Sequence, residues 1–246
     1  MPFAFPLSIV SATLNERGNV RPFVQRIENV LDGTLYELVI VDDGSQDGTL
    51  QELNSLKENM PNLSVIVNRR REGLLLSNFK GLSIARGRIR IVMDSDLQHP
   101  PEYIPQLVRK IEEGWDCVVM SRFTPAAHRG ENRSLFRNLI TSLATHLSHL
   151  TLPDTRMLSD PVSGFFALGP NICIPFDEVN ERFSRIRGYK TLLPIIVKNS
   201  GRKITELPYR FEGRKWGESK IASEKLLIPR YINELARYRE IKREGA

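Results

Sequence analysis

The chain has 246 residues, 41% hydrophobic and 26% charged, which suits one large α/β domain with its own core and excludes a disordered or fibrous chain. Its formal net charge of +6 suits a phosphate-bearing partner, and the lack of any nucleic-acid-binding motif removes nucleic acid from that group. No apolar run reaches the roughly 18–20 residues of a membrane-spanning helix, and the N-terminus lacks the basic stretch and cleavage site of a signal peptide.

Strand and helix patterns alternate from the start. Leu7 to Thr13 reads as a first strand, Val20 to Leu31 as a helix closing near Gly33, and Leu35 to Val41 as a second strand. Thr49 to Glu58 reads as a helix with Asp47 as its cap, Leu63 to Asn68 as a third strand, and Leu74 to Arg86 as a helix stopped by Gly87. Arg88 to Met93, with β-branched Ile89, Ile91 and Val92, reads as a buried strand; Pro100-Pro101-Glu102 then opens a helix, and Trp115 to Met120 is the next strand. Further on, a helix carries Arg137 and Thr141, another spans Leu192 to Asn199, and the last lies within Ile221 to Arg243. This alternation predicts a mostly parallel sheet with helices on both faces. Cys117 and Cys173 show neither metal nor disulfide spacing and are expected to pack as small buried groups.

The chain has neither the GxGxxG of a dinucleotide fold nor a GxxxxGK[ST] phosphate loop, which argues against a dehydrogenase or a P-loop NTPase. Chemistry concentrates where strands end. Asp94-Ser95-Asp96, followed by Gln98, closes the strand that begins at Arg88, at the carboxyl end where open α/β sheets bind ligands. Hard oxygen donors suit Mg²⁺ or Mn²⁺ bridged to phosphates, although Asp96 is equally placed to cap the next helix. Asp42 and Asp43 close the second strand and can accept hydrogen bonds from a base or ribose, with Gly44 to Gly48 shaping the turn. Arg137 and Thr141 share a helix face and, with Arg122, offer a phosphate cradle. His146 and His149 on that helix are read as packing or solvent-facing groups rather than a metal pair.

MDSDLQHPPE, from Met93 to Glu102, resembles the metal-binding segment of family 2 glycosyltransferases, in the branch that transfers mannose to dolichyl phosphate. The resemblance extends along the chain. Ala12-Thr13-Leu14-Asn15-Glu16 is similar to the family's Pro-Thr-Tyr-Asn-Glu, with alanine for proline and leucine for tyrosine. Asp42 to Thr49 matches Asp-Asp-Gly-Ser-x-Asp-Gly-Thr, and Gly73-Leu74-Leu75 stands where Gly-Leu-Gly is usual. Ser121-Arg122-Phe123, Arg137 to Thr141, Asp160 to Phe165, Gly188-Tyr189-Lys190 and Phe211 to Lys220 follow in family order.

What the resemblance implies is a GT-A type, Rossmann-like catalytic domain over residues 1–220 and a C-terminal amphipathic helix over 221–246. It implies metal ligation by Asp94, Asp96 and Gln98, and nucleotide-sugar binding by Ala12, Leu14, Glu16, Asp42, Asp43, Asp94, Ser95, Asp96, Lys190 and Arg214. Arg122, Arg137 and Thr141 would hold the acceptor phosphate, with Thr124 to Asn132 as the acceptor loop. Asp94, Asp96, Arg122, Arg137, Thr141 and Arg214 form the expected catalytic set. The expected reaction moves a hexose from GDP-mannose to dolichyl or polyprenyl phosphate, with inversion, at the cytoplasmic face of a membrane and with a small membrane-anchor subunit as a candidate partner. A UDP-sugar donor and a non-catalytic nucleotide-sugar-binding subunit stay open. In the last helix Leu227, Tyr231, Leu235 and Tyr238 form a stripe amid basic residues, which either lies at a membrane interface or packs on the sheet.

Overall fold

The computed structural model describes residues 4–124, 135–184, 188–213, 216 and 227–243. The first half alternates β1 (Phe5–Thr13), α1 (Arg17–Val30), β2 (Tyr36–Asp42), α2 (Thr49–Lys57), β3 (Leu63–Val67), α3 (Leu74–Ile84) and β4 (Gly87–Val92). Then come α4 (Ile104–Glu112), β5 (Cys117–Ser121), α5 (Leu135–Thr151), β6 (Phe166–Leu168), α6 (Phe176–Phe183), α7 (Leu192–Lys198), β7 (Ile204–Pro208) and α8 (Leu227–Arg243). The strands form one sheet in the order β3-β2-β1-β4-β6-β5-β7. Every pairing is parallel except those of β6, which runs antiparallel to β4 and β5. The mostly parallel sheet read from the sequence is therefore present, and its strands in the first half lie within two residues of their expected limits.

Alternation along the strands explains the two-sided core. Ile9, Leu38 and Ile40 join one apolar cluster with Val20, Phe23 and Ile27 of α1, while Val10, Val39 and Val92 join another with Phe79 of α3. β2 is buried at every position, as a central parallel strand covered on both faces must be. The second half departs more from expectation. The Asp160 to Phe165 motif forms turns and loop ahead of β6. Asp47 precedes the cap of α2, a role held by Gly48, although its carboxylate accepts the Thr49 amide at 3.0 Å. Cys173 is exposed, not buried.

The terminal helix settles its two readings toward packing. Pro229 falls in the first turn of α8, where its missing N–H costs no ladder bond. Tyr231, Leu235, Tyr238 and Ile241 are buried in the cluster that α3 and α7 share. Tyr231 Oη meets Ser148 Oγ of α5 at 2.6 Å, and Tyr238 stacks on Phe183 of α6. Of the stripe's two readings, lipid or protein, Tyr231, Leu235 and Tyr238 take the second. No helix among the described residues is long and apolar enough to cross a membrane.

If α8 is core, Leu235→Ala lowers the unfolding free energy in urea by about 2–5 kcal/mol through the lost transfer energy and the cavity. Ile232→Ala, on a half-exposed residue of the same helix, costs less than about 1 kcal/mol.

Candidate active site

The sheet changes direction of growth between β1 and β4, and the loops after β1, β2 and β4 meet at the crevice this creates. Asn15, with φ of 49°, knits the first two loops: its amide donates to Ser45 Oγ at 2.8 Å and its side-chain oxygen accepts the Gln46 amide at 2.8 Å. Glu16 is buried at the start of α1, its amide donating to Thr49 Oγ1 and its carboxylate accepting Asn19 Nδ2 at 2.5 Å. Ala12 and Leu14 are half-buried at the end of β1 and just after it. Asp42 and Asp43 are both buried and both occupied. Asp42 accepts the amide and hydroxyl of Ser45; Asp43 accepts Asn68 Nδ2 and the amides of Glu72 and Gly73, all within 3.0 Å. The sequence reading reserved the turn role for Gly44 to Gly48, yet these carboxylates carry it too, because a buried carboxylate collects whatever amide donors its loops supply.

After β4, Asp94 is the most open residue of its group, with 36% of its side chain exposed, whereas Ser95 and Asp96 are buried. Asp96 Oδ1 accepts the Gln98 amide at 3.1 Å, closing a turn over Leu97, whose φ of 65° is rare for a leucine. The helical segment that follows has no side-chain cap, so Asp96 shapes this turn rather than capping a helix. Gln98 donates its side-chain amide to the Glu212 carbonyl at 3.2 Å, and the Glu212 amide returns a bond to the Gln98 carbonyl at 3.1 Å. Arg26 of α1 forks between Glu102 and Glu212 with four hydrogen bonds of 2.7–3.0 Å, fastening the segment at 211–213 beside the Asp94 loop.

His99 forms the floor. Its Nδ1 accepts the Asp94 amide at 3.0 Å, which places any ring proton on Nε2. The ring is stacked on Phe165 and meets Tyr209 and Phe211 edge-on. Burial pushes its pKa down to about 4, so it is neutral at physiological pH. Gly164 crosses directly over this ring: a Cβ there would lie 3.3 Å from both Asp94 Oδ2 and His99 Cε1.

Arg122, at the end of β5, is paired with Asp160 through Nε–Oδ2 at 2.6 Å and Nη2–Oδ1 at 2.8 Å. Asp160 is fully buried, and the amides of Ser159 and Asp160 are held by Glu206 of β7. Burial works against the Arg122 charge, and Asp160 more than offsets it. Arg122, expected to bind acceptor phosphate, also engages Asp160 through Nε and Nη2, a use signalled by the Asp-Pro-x-Ser-Gly-Phe motif although Asp160 was not singled out. Lys190 enters from the other side on the segment from Gly188 to Thr191. There the Leu75 amide donates to the Gly188 carbonyl at 3.1 Å, and a Cβ on Gly188 would sit 2.4 Å from Leu75 Cδ2. Arg122, Asp160 and Asp94 all act on the Lys190 charge.

Thr141 is half-buried on α5. Arg214, residues 125–132 of the acceptor loop and the side chain of Arg137 lie outside the described residues. His146 Nδ1 and His149 Nε2 each lie within hydrogen-bond distance of a backbone carbonyl, of Ser142 and Leu158. The site thus gathers Asp94, Asp96, Arg122, Asp160 and Lys190 around a neutral His99. Carboxylates for a cation stand beside cations for an anion, with a floor that does not titrate near neutrality.

The family model described as glycosyl transferase family 2 matches residues 8–167. A dolichol-phosphate mannosyltransferase of Pyrococcus furiosus is 36% identical over 97% of this chain, which spans 64% of that relative's length. One from Saccharomyces cerevisiae is 29% identical over 93% of this chain and 85% of its own. Among solved structures, glucosyl-3-phosphoglycerate synthase from Mycobacterium tuberculosis, in complex with Mn²⁺, UDP and glucosyl-3-phosphoglycerate, superposes with a TM-score of 0.65 at 19% identity. That match covers 96% of this chain and 80% of the synthase, and at this identity it speaks to the fold.

The Arg122–Asp160 pair makes a stability claim. Asp160→Asn leaves the half-buried Arg122 guanidinium without its countercharge and lowers the unfolding free energy by about 2–4 kcal/mol, read in urea. A loss under 1 kcal/mol would mean that water or another group already serves Arg122.

Proposed function

Since the chain belongs to glycosyl transferase family 2, we propose that it transfers a hexose, mannose from GDP-mannose, to dolichyl or another polyprenyl phosphate, inverting the anomeric centre. The observation that carries this reading is the Asp94–Asp96 turn at the sheet's switch point, set beside Arg122 and Lys190. The names of the Pyrococcus and Saccharomyces relatives support the sugar and the lipid acceptor.

The donor set fits a divalent ion. Among the described residues no three His, Cys, Asp or Glu side chains come together, which leaves the carboxylates of Asp94 and Asp96 with the side-chain amide oxygen of Gln98. A small all-oxygen set suits Mg²⁺ or Mn²⁺, which keep waters and take phosphate oxygens from substrate. When bound, such an ion supplies charge neutralisation for the diphosphate leaving group. His99 is not among the ligands, because its Nδ1 accepts the Asp94 amide.

The remaining work is positioning and charge. Lys190, with Arg214, adds positive charge toward the diphosphate; Arg137 and Thr141 orient the acceptor phosphate, and Arg122 contributes its field while bound to Asp160. Asp42, Asp43, Glu16, Ala12, Leu14 and Ser95 line the nucleotide. A phosphate monoester, with a second pKa near 6, is already anionic at neutral pH, so no general base is required of the protein. The neutral His99, walled by Phe165, Tyr209 and Phe211, is consistent with that. A lipid phosphate is met at a membrane surface, and we place this chain peripherally on the cytoplasmic face, where a small membrane-anchor subunit would be a fitting partner. Leu143 and Leu150 of α5 with Ile228 and Ile232 of α8 are the exposed apolar side chains that support such contact.

With radiolabelled GDP-mannose and UDP-glucose offered separately alongside dolichyl phosphate and Mn²⁺, lipid-linked product forms from GDP-mannose. Product from UDP-glucose alone would transfer the reading to a glucosyl donor, and donor binding without product would point to a non-catalytic subunit. Asp96→Ala reduces turnover at least about a hundredfold and weakens Mn²⁺-dependent donor binding in calorimetry, whereas Gln98→Ala, a neutral donor, is milder. Wild-type turnover in Asp96→Ala would remove Asp96 from the ligand set.

A further inference from the structure

The segment from Gly188 to Thr191 is pinned on two sides. From α3, Asn78 Nδ2 donates to Thr191 Oγ1 at 3.0 Å, beside the bond from Leu75 to Gly188. From α8, Arg230 Nη1 donates to Tyr189 Oη at 3.0 Å, with its guanidinium 5.3 Å from the Tyr189 ring centroid. The Tyr189 amide donates to Glu234 Oε2 at 3.3 Å, and the Tyr238 hydroxyl lies 3.3 Å from the Lys190 carbonyl and 3.1 Å from Glu234 Oε2.

Glu234 is 1% exposed, and its other oxygen, Oε1, is buried without a hydrogen-bond partner among the described residues. A carboxylate held this way is expensive unless a cation nearby compensates it. Two cations stand close enough to act on it: Lys190, next in sequence to the Tyr189 amide that Glu234 accepts and joined to it through the Tyr238 hydroxyl, and Arg230 one turn earlier on α8.

We propose that Glu234 is a positioning residue for the active site, holding the Gly188–Thr191 segment from the C-terminal helix and supplying a buried negative charge beside the half-buried Lys190. The charge balance supports this. Burial and then Arg122 draw the Lys190 pKa below its ordinary value, and Glu234, Asp160 and Asp94 oppose them. Burial pushes Glu234 up to about 7, against the Tyr189 amide, the Tyr238 hydroxyl and the charges of Lys190 and Arg230. The groups facing the pair are therefore Arg230 on the same helix, Arg122, Asp160 and Asp94 from the strand ends, and the phenols of Tyr189, Tyr231 and Tyr238. Above neutral pH Glu234 is ionised and keeps Lys190 charged; without it Lys190 loses its proton at lower pH.

The link to anionic substrate rests on the proposed glycosyl transfer, whereas the link between the two side chains does not, and the experiment separates them. Lys190 in the full chain is acylated with an amine-reactive ester across pH 7 to 10 and quantified by mass spectrometry. Glu234→Gln keeps the shape and an acceptor oxygen but removes the charge, and it moves the onset of labelling down by about one pH unit, a tenfold rise in unprotonated lysine at fixed pH. Unchanged onset in a folded variant overturns the proposal. Read from the other end, Lys190→Met moves the Glu234 titration, followed by ¹³C NMR of the carboxyl carbon, above its wild-type midpoint; an unmoved midpoint overturns the proposal even if Glu234→Gln fails to fold. GDP–Mn²⁺ calorimetry supplies the second arm, with Glu234→Gln weakening binding several-fold at pH 8 and Glu234→Asp restoring part of it. Shifted labelling with unchanged GDP affinity would keep the coupling and remove the diphosphate from Lys190.

Discussion

A guanidinium and a carboxylate taken out of water together govern the geometry of this site. Arg122 and Asp160 form a two-bond pair, with Asp160 fully buried, and neither charge is tolerable at that depth without the other. The pair joins the end of β5 to the loop that precedes β6, and Glu206 of β7 grips the same loop by two amides. Held there, the loop carries Gly164 over His99 to within van der Waals reach of the Asp94 carboxylate. The loop that this ion pair holds thus borders the most exposed acidic group of the Asp94 turn.

Charge in the site is arranged around a neutral centre. His99 is the buried imidazole between the acidic turn and the Arg122–Asp160 pair, and burial keeps it uncharged near neutrality. Its one ring acceptor is spent on the Asp94 amide. The site thus separates two tasks that one residue type often combines: orientation of backbone by His99, and charge by Asp94, Asp96, Arg122 and Lys190. A third layer, Arg26 between Glu102 and Glu212, closes the far side without touching the centre.

Much of this was legible in the sequence, for physical reasons. The parallel strands announce themselves through β-branched, apolar runs, and the motif at Asp94 sits where strand chemistry places ligands. What escaped the sequence were partnerships between distant residues. Nothing local shows that Ser45, Asn68, Glu72 and Gly73 would converge on Asp42 and Asp43. Arg122 read as a free fork because Asp160 lies 38 residues away. The stripe on α8 has the same periodicity whether it meets lipid or protein, and only the placement of α5, α6 and α7 decides between them. The three-residue strand β6 is too short to leave a period.

That short strand has a consequence for how the chain is made. β6 alone bridges β4 to β5, pairing with Arg90 to Val92 on one side and Cys117 to Val119 on the other. A nascent chain can assemble β1 through β4 once Gly87 to Val92 have emerged to pair with β1, but β5 has no neighbour until residues 166–168 and then 204–208 follow. During synthesis the completed half therefore presents β4 as an open edge, the kind of surface that recruits foreign strands. That edge is closed only when Phe166 to Leu168 have emerged to pair with it.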